Sequence, residues 1–176
     1  MISITAALFP SKRDRQKSKG YLLLLMLYRF LVPAIERHLD EFLPFITQLN
    51  DDLIHKKPIP EGRALGEIVS HIFRSIEYYL RGVTEGVWEP APYAFDEFTT
   101  ADMLESQYKE VFTRAKVRLA LISLSDLSRM IDTLDRRATV AEIILEMLEH
   151  SIHHRGKLTV YLRLLGVEPP KIEYII

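Results

Sequence analysis

A chain of 176 residues, 48% apolar and 27% charged, is long enough for one domain to bury a core, and its composition excludes a disordered or fibrous protein. Its 23 basic and 24 acidic side chains leave a net charge of -1, so the basic excess that nucleic acid binding needs is missing and no nucleic-acid partner is expected. Cysteine is absent, which excludes disulfides, thiolate metal ligands and a cysteine nucleophile and is compatible with a reducing cytoplasm, the compartment expected.

The chain begins with an extension, residues 1–20, whose basic part is SKRDRQKSKG from Ser11 to Gly20. The apolar run YLLLLMLYRFLV follows, interrupted at Arg29. It falls short of the roughly 20 residues a bilayer span needs, and no Ala-x-Ala cleavage site follows Val32. Tyr21 to Val32 therefore reads as a buried helical segment, with a membrane-surface helix carrying a basic flank as the alternative.

Four helical segments are predicted in residues 21–176. The first lies between Leu22 and Leu49, with a break or bend expected at Pro33 and Pro44. A connection containing Pro58, Pro60 and Gly62 leads to a second helix from Leu65 to Arg81, ended by Gly82 and Gly86. A long loop reaches Thr99. A third helix from Thr100 to Ser123 is announced by Thr99 and Asp102. The fourth opens on the capping box Thr139-Val140-Ala141-Glu142 and continues past Gly156 to Leu165, where Gly166 and Pro169-Pro170 stop it. Strand signals are weak. The pattern predicts an all-α four-helix bundle whose facing helices bring side chains to a buried site.

At 100° per residue, Val140, Ile144, Met147, His154, Leu158, Tyr161 and Leu165 share one stripe of the fourth helix. His150 lies one turn before His154 and about 40° away, a spacing that suits chelation of one ion. His153 points about 100° aside and is excluded from that ion. His71 flanks the apolar stripe of the second helix, Leu65, Ile68, Ile72 and Tyr79. Taken alone, it is either a hydrogen-bonded core histidine or a ligand. Three imidazole nitrogens around an open position are the pattern of a catalytic rather than a closed structural site.

HSIHHRGKLTVYLRLLGVEPP from His150 to Pro170 and LGEIVSHIFRSIEYYLRG from Leu65 to Gly82 resemble the DinB-like (DinB/YfiT-like) superfamily of metalloenzymes. The resemblance implies that His71, His150 and His154 hold one divalent ion, zinc, nickel or iron, with water completing the site. It implies a homodimer, a small-molecule substrate, and hydrolysis or transfer of a low-molecular-weight thiol cofactor. Two departures are Lys157, where the family often has glutamine, and the N-terminal extension. The alternative function is a non-catalytic metal- or ligand-binding stress-response bundle.

Glu146, one turn before His150, is a candidate second-shell partner or general base, against an ordinary surface glutamate. Arg155 and Lys157 are candidate anion attractors, against solvated cations beside a helix seam. Trp88, Tyr93 and Phe95 read as packing the long loop onto the bundle rather than as a lid. Membrane contact is not expected.

Overall fold

This computed structural model describes residues 12–172; residues 1–11, most of the expected extension, lie outside the described residues. The elements in chain order are α1 (Lys12–Asp40), α2 (Leu43–Thr47), α3 (Asp51–Ile54), α4 (Leu65–Glu85), α5 (Ala101–Leu121), β1 (Met130–Asp132), β2 (Arg137–Thr139) and α6 (Val140–Leu164). The four long helices form the expected all-α bundle, with α4 packed against both α5 and α6.

Local chemistry sets the helix ends. Thr139 Oγ1 accepts the Glu142 N–H at 3.2 Å and the Glu142 carboxylate accepts the Thr139 N–H at 2.6 Å, the reciprocal box that starts α6. Thr100, one residue later than the sequence suggested, caps α5 by accepting the Met103 N–H at 3.3 Å. Ala64 has no side-chain oxygen to cap α4, and the Glu67 carboxylate serves that end by accepting the Ala64 N–H at 2.5 Å. Pro44 sits in the first turn of α2, where its missing N–H costs nothing.

Three expectations are corrected. α1 continues through Pro33 rather than breaking. Pro33 and Arg29 are both exposed, so the hydrogen bond that Pro33 cannot donate to the Arg29 carbonyl is lost on the solvent side of the helix. α4 does not end at Gly82. The absence of a Cβ there admits the Trp88 ring, which an added Cβ would meet at 2.2 Å, and the helix ends four residues later at Gly86 in the left-handed region, φ 72°. A short hairpin precedes α6, pairing Met130 with Thr139 and Asp132 with Arg137; strands of three residues carry too little alternation to be read from sequence.

The fourth correction concerns Tyr21–Val32, which is helical but mostly exposed, with Leu24 and Tyr28 half-buried against the core. Tyr21, Leu22, Leu23, Met26 and Phe30 are each at least half exposed, and burial on α1 begins at Leu31, followed by Ile35 and Leu39. At 1.5 Å per residue the 29 residues of α1 extend about 43 Å, against about 31 Å for the 21 of α4 or α5, so its first turns outrun the bundle. By length and composition alone, residues 16–47 also suffice for a membrane-crossing helix, a longer stretch than the run first considered. The second half of that stretch is committed to the core through Leu31, Ile35, Leu39, Phe42, Phe45 and Ile46.

The core runs the length of α4, where Leu65, Ile68, Val69, Ile72, Phe73, Ile76, Leu80 and Val83 recur at three- and four-residue intervals. Gly82→Ala is expected to expel Trp88, the one tryptophan in the chain. Strain from overpacking, less the helix-propensity gain, leaves a net loss on the order of 1 kcal/mol. A red-shifted tryptophan emission together with a Tm lower by a few degrees is the expected readout.

Candidate metal centre

His71 on α4 and His150 and His154 on α6 meet across the α4–α6 seam. Each offers one ring nitrogen, and the three atoms lie within 4.8 Å of one another. The Nε2 atoms of His71 and His150 are 3.2 Å apart. Two nitrogens bound to one tetrahedral ion at 2.0–2.1 Å stand about 3.3 Å apart by simple geometry, so the pair already has chelating spacing. His154 completes the triangle, its ring centroid 4.5 Å from each of the other two.

Burial and charge keep this cluster neutral. His154 is 7% exposed, and burial, then His150, His71 and Lys157, bring its pKa down to about 3. Burial, followed by Arg63, His150, Arg74 and Lys157, lowers His71 to about 4. His150 is lowered by burial, then by His153 and Lys157. Neutral imidazoles are the form that donates a lone pair to a metal. Nδ1 of His154 is buried without a hydrogen-bond partner, a polar atom left unpaired where burial makes that costly. A donor set of three neutral nitrogens, with one ring atom unserved by protein, fits a divalent ion.

Ser75 is a polar neighbour of the cluster that sequence reading missed. Its Oγ donates to the His71 carbonyl at 2.8 Å and lies 3.2 Å from Nε2 of His150. It sits one turn after His71, the spacing that would have revealed it. Glu146 is placed elsewhere: its carboxylate accepts from Arg136 Nη2 at 2.6 Å, is half exposed, and hydrogen-bonds none of the three histidines among the described contacts. His153 is exposed and outside the cluster, as its angle required.

Arg155 is held in an ion pair. It is 4% exposed and pairs with Glu41. Lys157 is exposed and lines a cavity with His71, His154 and Arg63. The long-loop aromatics pack as expected: Trp88 lies on Gly82, Phe95 on Gly66, and Tyr93 donates to Glu77 Oε2 at 3.0 Å. Glu77, 7% exposed, also accepts from Arg114 Nε at 2.6 Å, which ties the loop to α5 through α4.

The model of the DinB family matches residues 28–176. The chain belongs to the DinB family. YjoA of Bacillus subtilis strain 168 is 28% identical over 123 residues, 68% of this chain and 78% of YjoA. The crystal structure of that DinB-like protein superposes with a TM-score of 0.69 at 24% identity, covering 83% of this chain and 99% of the other. A DinB-like protein from Bacillus cereus ATCC 10987 gives 0.61 at 23% identity, over 85% of this chain and 95% of that one. A conserved protein from Enterococcus faecalis gives 0.59 at 15% identity, over 78% and 96%. These structural likenesses carry the fold of this DinB-family chain.

Proposed function

We propose that this DinB-family protein is a metal-dependent enzyme acting on a small molecule, with His71, His150 and His154 as the ligands of one divalent ion, zinc, nickel or iron. The supporting observation is the convergence of three neutral imidazoles, joined by no carboxylate among the described residues, on a point reached by open cavities. An ion there supplies Lewis acidity and makes a water or a low-molecular-weight thiol nucleophilic near neutral pH, giving hydrolysis or thiol transfer. The chain's own part is positional. α6 holds two ligands one turn apart and α4 holds the third. Turnover by metal-loaded protein on panels of thiol acceptors and esters, lost in His154→Ala, is the expected result. Stoichiometric metal with no turnover on either panel would favour the non-catalytic binding bundle.

Self-association belongs to this reading. Leu23, Met26, Leu27 and Phe30 recur at three- and four-residue spacing on α1 and are exposed, a seam that two copies would bury. Light scattering should give a mass near twice 20.5 kDa, falling to that of one chain when Leu23, Met26 and Phe30 are all replaced by serine. A monomeric full chain that co-sediments with anionic liposomes would assign the face to a membrane instead.

A further inference from the structure

Three cavities open on His71, and each carries a cation. One, of about 380 Å³, is lined by Arg63, Ser70, His71, Arg74 and Phe95, with Glu67 and Asp96 among its other walls. A second, of about 270 Å³, has His71, Arg74, Ser75 and His150 on its walls. The third, of about 680 Å³, has Arg63, His71, His154 and Lys157, with Glu61. Among the described residues Arg63 and Arg74 form no ion pair with any of these acids, and the Glu67 carboxylate is engaged by the Ala64 N–H.

Two residues on the wall of the first cavity carry unpaired donors. The Nε of Arg74 is buried with no hydrogen-bond partner, and so is the Oγ of Ser70, a residue only 2% exposed. They lie four residues apart on α4, and so on one face, with His71 between them in sequence and one turn from Arg74. A folded chain that buries a guanidinium donor and, one turn away, a hydroxyl without an acceptor gives up stability unless an acceptor arrives from outside. The guanidinium fork suits the two oxygens of a carboxylate or phosphate, and a hydroxyl adds a third donor.

We propose that Arg74 and Ser70, with Arg63 on the same cavity wall, seat an oxyanion, carboxylate or phosphate, carried by the substrate whose reacting end meets the three histidines. This rests on the metal-site reading for the histidines' role, but the seat itself is built from other residues. Arg155, which the sequence offered for this task, is already paired with Glu41.

The test is calorimetric titration of inorganic phosphate and, separately, of succinate into the full chain, before and after chelation, with metal content measured alongside. One of the two anions should bind at one site per chain, survive chelation, and weaken at least about tenfold in Arg74→Gln, as loss of a charge-assisted pair implies. Arg63→Gln, a change at an exposed position, should weaken it several-fold, and Lys157→Gln little. The Tm of Arg74→Gln should hold or rise, because an unpaired buried donor is removed. Unchanged anion binding in both arginine variants overturns the seat, as does a lower Tm in Arg74→Gln when the wild-type chain binds neither anion. Binding abolished by chelation but intact in Arg74→Gln places the anion on the ion, overturning the seat and sparing the metal. Arginine-dependent binding by a wild-type chain that holds no metal supports the seat and removes the metal reading.

Discussion

Alanine at His71, His150 or His154 is expected to abolish stoichiometric metal binding, read by elemental analysis of protein purified and then re-equilibrated with zinc, nickel or iron. The three nitrogens are within 4.8 Å of one another, and no carboxylate of the described residues joins them, so a two-histidine remnant has nothing to recruit in place of the lost ligand. Losing an outer partner of a metal ligand already costs about 10–100-fold in affinity. Loss of a ligand should exceed that. Two controls are built into the geometry. His153→Ala should bind normally because its ring lies outside the cluster, and Glu146→Gln should do so because that carboxylate is engaged by Arg136. Equal metal content across wild type and the three alanine variants would remove the proposed centre.

His71 shows how far the sequence reaches. The His150–His154 pair follows from helical spacing alone, since two side chains four apart share a face wherever the helix sits. Which residue of another helix faces that pair depends on the relative rotation and register of α4 and α6, which no local pattern encodes. That assignment rested on family resemblance, and the structure then placed His71 Nε2 at 3.2 Å from His150. Helix starts were legible where a side chain caps the backbone, as at Thr139, and a helix end was misread where a glycine served packing instead, as at Gly82 under Trp88. The buried reading of Tyr21–Val32 failed for a related reason. Apolar composition states that a segment gains by leaving water, but not that the bundle is long enough to cover it. Arg155 and Arg74 invert the same lesson. Arg155 looks like a solvated cation in the sequence, yet it is spent on Glu41, and Arg74, which no local pattern singles out, lines a cavity beside the histidines with its Nε buried and unpaired.

His38 escaped the sequence reading because a lone histidine on α1 has no spacing partner, and it is expected to add its own share to the response to mild acid. It is 4% exposed. Its Nε2 lies 2.8 Å from Ser151 Oγ on α6, its edge meets Phe42, and its Nδ1 is buried without a partner. Burial and then the Arg155 guanidinium, itself paired with Glu41, bring its pKa from 6.5 to about 3. Between those values the unfolded chain holds a proton that the folded chain refuses. Stability therefore falls as the pH drops below about 6.5 and stops falling, for this group, near 3. The slope is at most about 1.4 kcal/mol per pH unit, so moving from pH 6.5 to 5 costs up to ~2 kcal/mol, or roughly 4–8 °C in Tm. That window lies above the carboxylate range, so acidic residues such as Asp126 and Glu142, whose pKa values are lowered, contribute little within it. His71 and His154 shift in the same direction but cancel when wild type and His38→Leu are compared in the same metal state. Leucine at 38 should leave Tm at pH 7 unchanged or higher, since it removes the orphaned Nδ1, and should flatten the decline toward pH 5. Ser151→Ala alongside it removes the hydroxyl left without its partner, which separates the loss of the titrating ring from the cost of a new unpaired group. Parallel Tm–pH curves for wild type and both leucine variants would mean that His38 titrates normally in the folded protein and that the acid sensitivity originates elsewhere.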